Sequence, residues 1–209
     1  MAKPDIDYTL YLVTDRELMS SATLEENIEA ACKGGVTLVQ LREKHLDTPE
    51  FIERARSAKE VADAYGVPLI IDDDVEVALA VGAAGVHVGQ SDMPAAEVRR
   101  LIGPDMVLGV SASNVQQALR AEADGADYLG VGAMTFTPTK PDAEVCSMEE
   151  ARAILDAVSI PSVVIGGINA KTIPNFAGMP LAGFAVVSAI VAAPDPEAAA
   201  RELRQVIGR

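Results

Sequence analysis

Eight short apolar runs, each followed by a stretch with helical signals, divide this chain into repeating strand–helix units. The runs lie at 8–13, 36–41, 67–71, 85–88, 106–110, 127–131, 162–165 and 183–187. Each is too short for a core helix and is built mainly from Val, Leu, Ile and Gly, as buried strands are. Helices are predicted over 23–33, 48–65, 75–81, 94–102, 114–124, 148–158, 170–176 and 196–206. Thr23 with Glu26 three residues on forms a capping box, and Pro49, Pro94 and Pro196 stand where helices begin. A glycine recurs at the joint from helix to strand, as in Lys33-Gly34, Tyr65-Gly66 and Asp124-Gly125. Strands alternating with helices run parallel and are joined by crossovers. Eight such units predict an α/β fold, a compact (β/α)8 TIM barrel forming a single domain over 1–209. A doubly wound open sheet is the alternative, but no Gly-x-Gly-x-x-Gly fingerprint follows the first run. The chain is short for a barrel, so most loops are minimal; the loop 132–147 is the exception and a candidate active-site loop.

Charge limits the partners. The formal net charge is −14, which repels nucleic acid and anionic membrane and argues against both. An anionic small molecule must then be held by local basic groups or a metal. Two cysteines, Cys32 and Cys146, make neither a disulfide framework nor a metal cluster. With no secretory leader and no long uncharged apolar run, the expected location is cytoplasmic. The sequence leaves a homo-oligomer open.

A barrel carries its site at the carboxyl ends of the strands. Those ends read Thr14-Asp15, Gln40/Arg42/Lys44, Asp72/Asp73, Gln90/Asp92, Ser111, Thr137/Thr139/Lys140, Gly166/Gly167 and Val187-Ser188. The opposite ends carry mostly turn residues. Strand alternation puts Gln40, Arg42 and Lys44 on one face and Leu41 and Glu43 on the other. An Arg fork and a Lys point charge beside it suit a phosphate, whereas the plain reading is a solvated strand end. Asp73 and Asp92 end adjacent strands, and two carboxylates with waters and a phosphate chain can hold Mg²⁺. Arg42, Lys44, Lys140 and the Ser111 hydroxyl are candidates to surround the same phosphates. Asp74 reads as a helix N-terminal acid. Gly166-Gly167 and Val187-Ser188 offer backbone N–H groups for a second phosphate. Mid-strand His87 reads first as a packing residue, and Cys146 as an inert thiol with no base beside it.

Taken in order, Tyr11-Leu12-Val13-Thr14-Asp15, Gln40-Leu41-Arg42-Glu43-Lys44, Gly85-Val86-His87-Val88-Gly89-Gln90 with Asp92, Gly109-Val110-Ser111, Thr137-Pro138-Thr139-Lys140, Ile165-Gly166-Gly167-Ile168 and Val187-Ser188-Ala189-Ile190 resemble the thiamine phosphate synthase family over nearly the whole chain. The resemblance implies a (β/α)8 enzyme using Mg²⁺. It would join 4-amino-2-methyl-5-(diphosphooxymethyl)pyrimidine to a thiazole phosphate, with pyrophosphate leaving first and a pyrimidine cation trapped by the thiazole nitrogen. Carried over by position, Gln40, Leu41, Arg42, Glu43 and Lys44 contact the pyrimidine diphosphate. Asp73 and Asp92 hold Mg²⁺, and Ser111 and Lys140 bind the diphosphate. Thr137, Pro138, Thr139, Gly167, Val187 and Ser188 bind the thiazole phosphate. Arg42, Lys44, Ser111 and Lys140 are the expected catalytic groups.

Two departures stand out. Asp72 occupies a position that is usually Asn in the family, and 133–136 differs from the usual Pro-Ile-Phe-Pro run. An ionised Asp only accepts hydrogen bonds. Asp72 therefore suits a ligand amine and repels a diphosphate, so altered substrate or metal affinity with unaltered chemistry is expected. A thiazole tautomerase of the same fold and a non-catalytic phosphate-ligand sensor are the competing readings. The basic and acidic groups at the mouth argue against the first, and only Asp72 favours the second.

Overall fold

The computed structural model describes residues 3–136 and 145–208. Among these, eight parallel strands close into a barrel in sequence order. They are β1 (Leu10–Val13), β2 (Leu38–Leu41), β3 (Leu69–Asp72), β4 (Gly85–Val88), β5 (Val107–Ala112), β6 (Tyr128–Val131), β7 (Ser162–Val164) and β8 (Gly183–Val186). The ring is sealed by β1 against β8, with Tyr11 beside Ala185. The open-sheet alternative is thereby excluded.

The helices are α1 (Leu24–Lys33), α2 (Thr48–Ala64), α3 (Val75–Val81), α4 (Ala95–Ile102), α5 (Val115–Ala123), α6 (Met148–Ala157), α7 (Ser188–Val191) and α8 (Pro196–Ile207). The capping box at Thr23 and Glu26 forms as expected. Asp74 caps α3 by accepting from the Val77 N–H, which explains the third acid of that run. Two stretches differ from the sequence expectation. The segment predicted as a helix over 170–176 closes only as a 3-10 turn, Ile173–Phe176, where Pro174 supplies no N–H. After β8 the chain makes a single short turn of helix, α7, before α8.

Strand parity sorts the core into two layers. Leu10, Leu12, Val39, Leu41, Leu69, Ile71, Val86 and Leu108 point outward and pack under the helices. Tyr11, Val13, Leu38, Ile70, Val107, Tyr128, Val163 and Ala185 point inward and fill the barrel. At the amino-terminal ends, Arg99 donates to the carbonyls of Gly125, Gly103 and Met106 and to Asp127, and Asp127 also accepts from the Leu108 N–H. That end is a structural tie, and the other end is left to carry chemistry.

Candidate active site

A cavity of about 380 Å³ opens at the carboxyl ends of the strands. Its walls bring together Gln40, Arg42, Lys44, Asp72, Asp73, Ser111, Gly167, Val187 and Ser188. Parity explains the set. Inward positions that are apolar low in the barrel become polar one or two residues later: Leu38 gives way to Gln40 and Arg42, Ile70 to Asp72, and Val107 to Ser111. The same parity sends two expected contacts elsewhere. Leu41 is fully buried in the outer core. Glu43 turns away to Arg16, 2.8 Å from its Nε. Neither side chain lines the cavity. Asp92 sits beside it, with one carboxylate oxygen accepting the Gly89 N–H at 2.7 Å. Thr137, Pro138, Thr139 and Lys140 lie outside the described residues.

The cations at the mouth are already engaged with carboxylates. Arg42 lies 3.8 Å from Asp15 and 3.7 Å from Asp72. Lys44 Nζ is 2.8 Å from Asp73 and 3.5 Å from Asp72. Burial pulls the Lys44 ammonium down, but the Asp73 hydrogen bond and the charges of Asp72 and Asp73 outweigh it and hold its pKa above the ordinary lysine value. Lys44 is therefore a permanent cation. Asp73 reaches it from a left-handed backbone position, φ 63°, which a short polar side chain tolerates. The Arg42 N–H donates to the buried Thr14 Oγ1, tying the end of β2 to that of β1.

Across the cavity, Gly166 and Gly167 take φ values of 98° and 70°, which a side chain rarely adopts. A Cβ at Gly167 would overlap Thr135, and one at Gly166 would press on Ala133 and Met134. Bare backbone is thus required where the loop after β6 crosses the end of β7.

A family model described as thiamine monophosphate synthase matches residues 10–190. The chain belongs to this family. The thiamine-phosphate synthase of Clostridium beijerinckii is 57% identical over 202 residues, 97% of each chain. That of Clostridium botulinum is 54% identical over 203 residues, 97% of this chain and 95% of its own. A solved structure of thiamine phosphate pyrophosphorylase from Pyrococcus furiosus aligns with a TM-score of 0.88 at 38% identity, covering 97% of this chain and 96% of that one.

Family membership leaves the cavity floor to be read from the structure, and there sequence reasoning missed residues. Tyr11 and Tyr128 meet inside the barrel, Oη to Oη, at 2.8 Å. His87, read from sequence first as packing, has both ring nitrogens in hydrogen bonds, Nδ1 to Tyr128 Oη at 2.9 Å and Nε2 to Ser111 Oγ at 3.0 Å. Glycine made room for these rings: a Cβ at Gly109 would overlap both Tyr128 and His87. The available signal was parity, since His87 shares the inward face of its strand with Gly85, and Tyr128 that of Gly130. Cys146 behaves as expected. It is 2% exposed, and burial pushes its thiol up to about 11, so it is a poor nucleophile.

Proposed function

We propose that the protein condenses 4-amino-2-methyl-5-(diphosphooxymethyl)pyrimidine with a thiazole phosphate, giving thiamine phosphate and pyrophosphate, as a cytoplasmic transferase of thiamine biosynthesis. The observation that carries this reading is 57% identity, over 97% of both chains, with a relative named thiamine-phosphate synthase. Among the described residues no helix is long and apolar enough to cross a membrane.

The chemistry asked of the site is to stabilise a leaving polyanion. The methylene carbon–oxygen bond breaks with its electron pair passing to pyrophosphate. The aminopyrimidine disperses the positive charge left on carbon, and the thiazole nitrogen then supplies the pair for the new carbon–nitrogen bond. Arg42 offers a planar fork and Lys44 a point charge to the departing diphosphate, with Ser111 as a hydroxyl donor and Lys140 as a further cation. The Gln40 amide nitrogen donates one hydrogen to Tyr11 Oη at 2.7 Å, and its carbonyl oxygen is the acceptor that would meet the pyrimidine amine. The backbone N–H groups near Gly167 and at Val187 and Ser188, with Thr137, Pro138 and Thr139, hold the thiazole phosphate. Water kept out of the cavity is water that cannot quench the cation.

Mg²⁺ belongs to the same proposal. The donor set suits it in kind: hard carboxylate oxygens at Asp73, beside Lys44, and at Asp92, against the Gly89 N–H at the cavity edge, with the ligand's own phosphates completing the shell. Bound there, the ion would neutralise charge on the leaving pyrophosphate. Asp73 shares its carboxylate with Lys44, so the two cations act on one carboxylate.

The test mixes purified protein, both substrates and Mg²⁺. Equal amounts of pyrophosphate and thiamine phosphate, lost on chelation, are expected. Saturable ligand binding without product would move the reading to a sensor. Conversion of thiazole isomers without pyrophosphate would move it to a tautomerase, a reading the named relatives do not favour.

A further inference from the structure

Five side chains from five strands form a continuous hydrogen-bond chain beneath the cavity. Gln40 Nε2 meets Tyr11 Oη at 2.7 Å, and Tyr11 Oη meets Tyr128 Oη at 2.8 Å. Tyr128 Oη meets His87 Nδ1 at 2.9 Å, and His87 Nε2 meets Ser111 Oγ at 3.0 Å. Tyr11 is 1% exposed, Tyr128 0%, Gln40 4% and His87 7%. The chain therefore runs from the residue assigned to the pyrimidine to one assigned to the diphosphate, through side chains that are almost wholly buried.

Its direction follows from donor counting. An amide nitrogen only donates, so Tyr11 Oη accepts from Gln40 and sends its own proton to Tyr128. Tyr128 Oη accepts that proton and sends its own to His87 Nδ1. A ring nitrogen that accepts carries no hydrogen, so the neutral imidazole holds its proton on Nε2 and donates it to Ser111 Oγ. Ser111 is then an acceptor from below, and its hydroxyl proton is left to point into the cavity. The opposite direction would make Tyr11 Oη accept from both Gln40 and Tyr128 and leave its own buried hydroxyl proton with no acceptor in the chain. Burial raises both tyrosines far above the ordinary phenol range, so they stay neutral donors.

We propose that Tyr11, Tyr128 and His87 are positioning residues: the Gln40 amide orients a one-way proton chain that fixes His87 as its Nε2–H tautomer and makes Ser111 a hydrogen-bond donor to a ligand phosphate. The value of this order to catalysis rests on the synthase reading, but the order itself belongs to the ligand-free protein. Carboxylates only accept, so Gln40→Glu reverses every link. Tyr11 then donates to position 40, Tyr128 to Tyr11, and His87 to Tyr128 through Nδ1–H.

The chain contains two histidines, and the other, His45, has an exposed side chain, so ¹⁵N-histidine spectra are readily assigned. In the ligand-free wild type at neutral pH, His87 is expected as Nε2–H. Gln40→Glu is expected to give Nδ1–H, three links from the substitution. Tyr128→Phe is expected to release the preference and to weaken pyrophosphate binding about tenfold, the loss of one charge-assisted donor. An Nδ1–H or doubly protonated His87 in the wild type would overturn the proposal. So would a Tyr128→Phe protein with unchanged tautomer and pyrophosphate affinity, or a Gln40→Glu protein that keeps Nε2–H. The wild-type spectrum needs no variant to fold. Product formation by the wild type separately tests the synthase reading, so either idea can fail alone.

Discussion

Asp72→Asn is expected to tighten pyrophosphate binding. Asp72 is 9% exposed and lies 3.7 Å from Arg42 Nε and 3.5 Å from Lys44 Nζ. A diphosphate claiming both cations must share them with this carboxylate. Ligand oxygens within hydrogen-bond reach of Arg42 and Lys44 would lie roughly 6 Å from Asp72. Two unit charges at that distance repel by about 3 kcal/mol at an effective dielectric of about 20. Lys44 is 40% exposed, so solvent and salt screen the mouth, and about 1 kcal/mol is a realistic remainder. That corresponds to roughly five- to tenfold tighter binding. The cations keep other partners, Asp15 for Arg42 and Asp73 for Lys44, so the substitution leaves neither without a carboxylate. Calorimetric titration of pyrophosphate, with and without Mg²⁺ and at two salt concentrations, measures the effect. The gain should shrink at high salt. Affinity equal to wild type across Mg²⁺ concentrations, or weaker, would refute the reasoning and mean that Asp72 joins the metal shell or meets a ligand amine.

Three further outcomes follow from particular contacts. Gly109→Ala places a Cβ against the Tyr128 and His87 rings and should cost about 1–3 kcal/mol of stability, seen as a lower thermal midpoint; an unchanged midpoint would mean the rings move aside freely. Asp127→Ala should lower the midpoint through about 1–3 kcal/mol of lost hydrogen bonding to Arg99 and the Leu108 N–H, while KM for both substrates stays at the wild-type value because the tie lies at the opposite end of the barrel. Cys146, its thiol pushed up to about 11, should be alkylated far more slowly than glutathione at pH 8. Because the raised pKa leaves little thiolate at that pH, the rate should climb with pH until the fold fails, and fast modification at pH 8 would show the thiol to be exposed and ionised.

Much of the barrel was readable because its signals are local. Alternating apolar runs, Thr23 with Glu26, and glycine joints each act within a few residues, and the structure places β4 and α3 at the expected bounds. Elements failed where a local signal was weak: Pro174 and a short segment yield a 3-10 turn instead of the predicted helix. The site was readable to the extent that parity was applied. Gln40, Arg42 and Lys44 share the inward face as alternation requires, and the same rule sends Leu41 into the outer core. Tyr11, Tyr128 and His87 escaped because each looks like a core residue in its own strand. Their meaning comes from a meeting across the barrel, between positions 117 and 41 residues apart in the chain, which no local pattern encodes.

That meeting also explains why the mouth needs both charge and order. In the proposed reaction Arg42 and Lys44 would supply charge for a polyanion, and their carboxylate partners Asp15, Asp72 and Asp73 would compete with it for them. Charge of this kind falls off slowly with distance and says little about orientation. A hydroxyl donor held by a buried chain is the complementary device, because a hydrogen bond weakens steeply when misaligned. Ser111, on β5 and in reach of His87 Nε2, sits where the two meet. The directional group rests on the buried floor, while the charged groups stand nearer the rim, where the Lys44 side chain is 40% exposed.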